Sequence, residues 1–270
     1  MRYLLVCLIV LGVVSCGSNR QQRVPKTQKV QPAPTMVSGN PKYADSDPVE
    51  WTGSKPWHYP VHGVDVSRYQ EGLDWTQLRT HHISFGYIKA TEGGDHTDPH
   101  FRTHWWEAAR AGIPRGAYHF YYFCRTPQEQ AEWFIKHVPN EAGALPPVLD
   151  IEWNHQSRTC RMRPDGETVR DNMRIFLRIV GDHYGKTPLI YTTLDFYHEN
   201  DLSKLNGYPF WLRSVADHPS KTYPGERWLF WQYSGTGRVP GSPGNIDLNV
   251  FDGSPDVWRA WLARNGIALQ

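Results

Sequence analysis

The chain has 270 residues, and its 29 Lys and Arg nearly balance its 27 Asp and Glu, leaving a formal net charge of +2. That balance removes the electrostatic case for a nucleic-acid protein, which needs a concentrated basic face. Aromatic residues make up 13% of the chain, with 12 Trp, enough to fill a large core or to furnish ring faces that stack on the apolar faces of sugars.

The first sixteen residues stand apart. Arg2 is followed by the apolar run from Leu4 to Val14, then by Ser15 and Cys16. One positive charge, about eleven apolar residues and a small residue before the break fit a secretory signal. The run falls short of the roughly twenty residues a membrane span needs. The ending Val13-Val14-Ser15-Cys16 resembles a bacterial lipobox, so residues 1–16 read as a lipoprotein-like signal with Cys16 the lipidated first residue of the mature protein. Cleavage nearby, with Cys16 unmodified, is the alternative. Gly17 follows rather than Asp, which in a Gram-negative cell points to the outer membrane, facing the periplasm. Residues 17–60 are rich in Pro, Gln, Ser, Lys and Thr and show no periodic apolar face. They read as a disordered tether that would reach roughly 35 Å. Trp51 and Trp57 near its end are expected to pack on the domain that follows, residues 61–270.

From Val61 a rhythm of short β-rich runs and longer segments begins. Eight candidate strands cover 62–67, 83–90, 115–123, 146–153, 187–193, 209–215, 227–234 and 245–251. Between them lie helical patterns. Pro99–Ala111 ends in Gly-Ile-Pro, a stop signal. Thr126-Pro-Gln-Glu129 has the form of a capping box with Pro at the first helical position. Val169, Met173, Phe176, Leu177 and Val180 recur at helical spacing before Gly185, and Ser254-Pro255 opens a last helix. The last three strands follow one another with short loops and little helix. Alternating strands and helices argue for a parallel sheet covered by helices. The expectation is an α/β fold: an irregular (β/α) barrel of eight strands with fewer than eight helices. An open doubly wound sheet is the runner-up, but no G-x-G-x-x-G follows the first strand, so a nucleotide lacks its fingerprint. No Cys/His spacing resembles a zinc site, and no cofactor or metal is expected. Cys124 and Cys160 both follow candidate strands on one side of the fold. In an oxidising compartment they either pair or remain two isolated thiols.

The run Pro146-Pro-Val-Leu-Asp-Ile-Glu-Trp153 ends a core strand with two acids. Residues i and i+2 share a face of a strand, so Asp150 and Glu152 project together. In a β/α barrel the C-terminal strand ends carry the active site. Asp65 in the first strand and Asp247 in the eighth meet them there if the barrel closes. Paired carboxyl groups are what glycosidic-bond cleavage requires, one protonated to release the leaving oxygen and one ionised. Glu152, with the longer reach, is the expected acid/base and Asp150 the ionised partner, acting as nucleophile or by orienting a substrate N-acetyl group.

The motifs GVDVSRYQ, FGYIKATEG, GAYHFY, PVLDIEW, PLIYTT, FWQYSGTGRVPG and IDLNVFDG occur in that order. Together they resemble the family 25 glycoside hydrolases, lysozymes of the muramidase type, over about Val61 to Gly253. The resemblance implies an irregular eight-stranded barrel. It also implies cleavage of the β-1,4 bond between N-acetylmuramic acid and N-acetylglucosamine in peptidoglycan. By it, Asp65, Asp150, Glu152 and Asp247 fall on the family's acidic positions, with Glu152 as the acid/base. Tyr118 and Tyr191 fall on aromatic cleft positions, and Trp153, Trp211 and Gln232 are further candidates for substrate walls. Lys89 and Glu92 are expected to form a salt bridge beside the cleft. One departure is Arg213-Ser214 after Trp211, where the family has a small residue, a basic one and Tyr. Arg213 would reshape the cleft or pair with an acid. The expected partners are peptidoglycan glycan strands and, through Cys16, a membrane; a monomer is expected. Two rival readings remain: a chitinase-like glycosidase and a peptidoglycan-binding lipoprotein without activity.

Overall fold

A computed structural model of the protein describes residues 42–154 and 156–268. The signal, Cys16 and the tether as far as residue 41 lie outside the described residues. In chain order the strands are β1 (Ala44–Asp45), β2 (His62–Val66), β3 (Ile83–Glu92), β4 (His96–Thr97), β5 (Arg115–Phe120), β6 (Val148–Asp150), β7 (Leu189–Thr192), β8 (Phe210–Arg213), β9 (Trp228–Arg238) and β10 (Ile246–Phe251). The helices are α1 (Trp75–Thr80), α2 (Phe101–Arg110), α3 (Pro127–His137), α4 (Gly166–Tyr184), α5 (Leu194–Glu199), α6 (Pro219–Thr222) and α7 (Pro255–Arg264).

Eight of the strands close a barrel in the order β2-β3-β5-β6-β7-β8-β9-β10, with β10 returning to β2. All eight expected strands are present, and closure excludes the open sheet. Neighbours from β2 to β9 are parallel, whereas β10 runs antiparallel to both β9 and β2. The reason is local: only residues 239–245 separate β9 from β10, and a parallel crossover needs a dozen residues or more. The barrel is therefore mixed, not wholly parallel.

The helix ends follow their sequence signals. Thr126 caps α3 by accepting from Glu129 N, and Glu129 returns to the Thr126 backbone. Asp165 and Ser254 cap α4 and α7. Gly185 closes α4 at φ 62°, a left-handed conformation glycine adopts without Cβ strain.

Strand alternation splits the apolar residues into two cores. Outward residues such as Val64, Ile88, Leu149, Ile151 and Leu212 pack under α1–α4. Inward residues Phe85, Tyr87, Trp211, Phe230 and Phe251 fill the lumen. Room for these rings comes from Gly63 and Gly116, where an added Cβ would lie 2.3 Å from the Phe85 and Tyr87 rings. Trp258 and Trp261 of α7 seal the bottom, with ring centroids 5.0 Å from Phe251 and 5.6 Å from Phe230. Much of the aromatic excess is thus spent on the barrel interior.

Residues 42–60, expected within the tether, lie on the barrel instead. β1 pairs antiparallel with β9. The Asp45 carboxylate accepts hydrogen bonds from Ser234 and Thr236, and Trp51 packs edge-on against Trp231 at 5.2 Å. Trp51 packs on the barrel as expected, whereas the polar composition of this stretch concealed a strand only two residues long. Cys124 and Cys160 form a disulfide with Cα atoms 5.7 Å apart, joining the loop after β5 to the loop after β6.

Candidate active site

At the top of the barrel the inward residues change from aromatic to polar. Asp65, Lys89, Tyr118, Asp150, Tyr191, Gln232 and Asp247 line a cleft of about 380 Å³. Glu152, just beyond β6, joins them, with Ile151 between the two acids turned into the outer core. The four carboxyl groups expected to meet therefore do so. Asp247 stands directly across from Asp65 in the β10–β2 register.

Two pairs of acids share the cleft, and their surroundings differ. Asp65 is buried, but one oxygen accepts from Gln232 Nε2 at 3.0 Å and from Asn249 Nδ2 at 2.7 Å. Burial raises its pKa, while these donors and Asp247 hold it back. Burial and the negative charge of Asp65 push Asp247 well above the usual carboxylate range. Of the two, Asp247 is pushed the more strongly toward its protonated form, with Asp65 as the acceptor of the pair. The hydrogen bonds continue outward. Tyr191 donates to Gln232 Oε1 at 2.8 Å, and Trp211 Nε1 donates to Asn249 Oδ1 at 2.8 Å. Every polar group of this floor is oriented before a ligand arrives.

The second pair lies nearer the opening. Burial raises Glu152 from 4.5 to about 7, with Asp195 and Asp65 adding to the rise and Arg213 and Lys89 opposing it. A carboxyl group of that kind carries a proton at neutral pH and releases it readily. Asp150 is pushed well above its ordinary value by burial first and by Glu152 second. Its buried Oδ1 has no hydrogen-bond partner. The pair thus resists double ionisation, and a donor brought to Asp150 Oδ1 would favour its anion.

The remaining candidates sort by position. Tyr118 lines the cleft, and burial keeps it and Tyr191 neutral phenols. Trp211 and Gln232 belong to the hydrogen-bonded floor rather than to a wall. Trp153 does not line the cleft of the four acids; its indole packs on Phe196 at 4.6 Å and donates to Glu199 at 2.7 Å. It lines an adjoining cavity of about 190 Å³, with Cys160 and Arg163, that Glu152 also borders. Lys89 forms the expected salt bridge to Glu92 at 2.6 Å and also borders the cleft. Arg213 borders the cleft without pairing: its guanidinium makes no hydrogen bond or ion pair among the described residues.

Two residues escaped the sequence reading. Asn249 was legible in principle, because it shares its strand face with Asp247. Tyr69 stands on the rim at 76% exposure, braced by Arg68, whose guanidinium lies 5.0 Å from the ring centre. Only the fold shows that this exposed ring borders the acids.

A closed barrel whose mouth gathers four carboxyl groups, one of them poised near neutrality, defines a glycoside-hydrolase-type site. Comparison with known proteins agrees. The model of the glycosyl hydrolases family 25 matches residues 64–242, and the chain belongs to that family. It is 35% identical to the uncharacterized protein YegX of Escherichia coli K12 over 77% of this chain and 75% of that protein. It is also 35% identical to lysozyme M1 of Streptomyces globisporus, over 72% and 68%. Among solved structures, a family 25 glycosyl hydrolase from Bacillus anthracis superposes with a TM-score of 0.70 at 34% identity, over 75% of this chain and 94% of that one. A bacterial lysozyme from Streptomyces coelicolor gives 0.66 at 33%, over 77% and 98%.

Proposed function

We propose that the protein is an N-acetylmuramidase that hydrolyses the β-1,4 bond between N-acetylmuramic acid and N-acetylglucosamine in peptidoglycan. The observation that carries this reading is Glu152 raised to about 7 beside Asp150 in a cleft shared with Asp65 and Asp247. The names lysozyme M1 and autolytic lysozyme among the relatives support the substrate class.

Glu152 protonates the glycosidic oxygen as the bond from C1 to that oxygen breaks. The glucosamine product leaves with a new hydroxyl, and positive charge develops on the muramic acid ring. Asp150 Oδ1 is a buried acceptor without a donor, and the N–H of a 2-acetamido group supplies one. Held so, the acetamido carbonyl oxygen attacks C1 and closes a five-membered oxazoline while Asp150 takes up the amide proton. Glu152, now ionised, removes a proton from a water that attacks C1. The ring reopens, Asp150 returns the amide proton and the anomeric configuration is retained. The negative Asp65 stabilises the charged ring at longer range.

The test is digestion of purified peptidoglycan with identification of the new reducing ends. Muramic acid ends support the reading. Glucosamine ends or cleavage of chitin would replace it with a chitinase-like activity, and binding without product with a passive wall-binding role. A glycosyl adduct on Asp150 detected by mass spectrometry would assign Asp150 as nucleophile instead.

We further propose that the protein works in a bacterial envelope, anchored through lipid on Cys16. The lipobox-like sequence before Cys16 supports this. Replacing Cys16 by Ser and following membrane fractionation and acyl labelling tests it; unchanged fractionation and labelling would refute it.

A further inference from the structure

Beside the acid cleft lies a second and larger cavity of about 560 Å³, within the roughly 300–1,000 Å³ typical of ligand sites. Its roof is the N-terminal strap, including Tyr43, Val49 and Trp51, and its floor includes Tyr233 and Val215. Arg213 and Gly235 line both spaces, so the cavity continues the cleft. At Gly235 an added Cβ would lie 3.3 Å from Asp247 Oδ1, within the passage between them.

The charges at this junction are unequally used. Asp45 is spent on Ser234 and Thr236, which hold the strap down. Lys42 is turned toward the His82 carbonyl at 3.5 Å. Arg213 is only partly exposed and its guanidinium makes no hydrogen bond or ion pair among the described residues, although its charge also acts on Glu152, Asp65 and Asp247. A guanidinium presents a planar fork of donors that matches a carboxylate. Apolar and aromatic walls beyond it suit short aliphatic side chains. A glycan strand has only neutral sugars to offer, apart from the lactyl group of muramic acid. That group carries either a free carboxylate or a peptide of small and acidic residues.

We propose that the strap cavity receives the peptide arm carried on the lactyl group of muramic acid, with Arg213 pairing a carboxylate of that arm at the doorway. The proposal deepens the muramidase reading and rests on it: sugars lie along the acids, and their peptide branches sideways under the strap. Arg213 is then a specificity residue rather than part of the bond-breaking set.

The test uses the full chain carrying Glu152→Gln, so that ligand survives. It is titrated with a muramic-acid-containing disaccharide bearing an alanyl-glutamyl peptide, and with the same disaccharide whose lactyl carboxyl group is capped as a neutral methylamide. The peptide-bearing form is expected to bind about tenfold tighter, the scale of one charge-assisted hydrogen-bonded pair. Adding Arg213→Met removes the difference, and so does Val215→Trp, which fills the cavity while leaving Arg213 in place. Equal affinities in the parent, or a preference that survives both changes, overturn the proposal, as does failure of both ligands to bind. So does tighter binding of a longer peptide-free glycan that Val215→Trp abolishes, since it would give the cavity to sugar. Peptidoglycan digestion by the unaltered chain, run in parallel, keeps the two readings separate. Muramic acid ends with equal affinities defeat only the cavity assignment; no ends at all defeat the muramidase.

Discussion

Glu152→Gln separates catalysis from stability by pH. The change keeps shape and removes only the ability to ionise. In the unfolded chain Glu152 titrates at its ordinary 4.5, and in the folded protein burial moves it to about 7. Folded protein thus holds this proton more tightly, and the stability present below pH 4.5 is lost as pH rises through about 7. Over that interval the loss amounts to about 3 kcal/mol, at 1.36 kcal/mol for each pH unit. The variant escapes the loss. At pH 8 its melting temperature should exceed that of the parent by roughly 6–12 °C, at 2–4 °C per kcal/mol for a domain of this size. At pH 4, where Glu152 is protonated in both states, the two should melt together. Turnover should meanwhile fall by about two to four orders of magnitude. Thermal scans at the two pH values read the first effect, and reducing-end release reads the second. A variant no more stable at pH 8, or equally stabilised at both pH values, would refute the burial of this carboxyl group.

The same acid sets a pH profile: kcat/KM should decline above about pH 7 as Glu152 ionises. Arg213→Met should move that decline to higher pH, because the positive charge of Arg213 lowers the pKa of Glu152; a shift downward would contradict the placement. Asp65→Leu should cost about 3 kcal/mol in urea unfolding, since it would leave the buried donors of Gln232 and Asn249 without an acceptor. Asp247→Asn, still able to donate to Asp65, should cost less, and an equal or greater cost would contradict Asp247 as the donor of the pair. Tyr69→Ala should raise KM about threefold to tenfold at unchanged melting temperature, the loss of one aromatic face; an unchanged KM would remove Tyr69 from the site. Reduction of Cys124–Cys160, which are 36 residues apart, should lower unfolding stability by about 4 kcal/mol on the loop-closure relation, measured by urea unfolding with and without reductant.

The sequence made the barrel legible because period two and helix caps are local signals. Thr126, Asp165 and Ser254 cap the helices they precede, and alternation alone put Asp150 and Glu152 on one face. What it hid was set by distant contacts. Trp153, next to Glu152 in sequence, lines a smaller cavity that Glu152 also borders, a space built with the loop that carries Cys160. The ordered part of the N-terminal segment was masked by polar composition, since its anchoring depends on Trp231 and Ser234, far along the chain. Which donors reach Asp65 and which miss Asp150 is likewise a property of the assembled cleft, not of either strand.

The direction of β10 is a more instructive case, because the inward residues of five other strands record it. In β3 they run from Phe85 through Tyr87 to Lys89, in β6 from Val148 to Asp150, in β7 from Leu189 to Tyr191, in β8 from Trp211 to Arg213, and in β9 from Phe230 to Gln232. Each begins apolar and ends polar, as a strand must when it starts in a dry plug and finishes at a wet mouth. In β10 the order reverses, from Asp247 through Asn249 to Phe251. A strand parallel to the others would bury Asp247 beside Trp258 and Trp261 and lift Phe251 to the rim. Burying that acid without a partner would cost several kcal/mol, so the antiparallel course is the one this order of residues permits. It brings Asp247 to Asp65, and the carboxyl pair that anchors the cleft floor depends on the reversal.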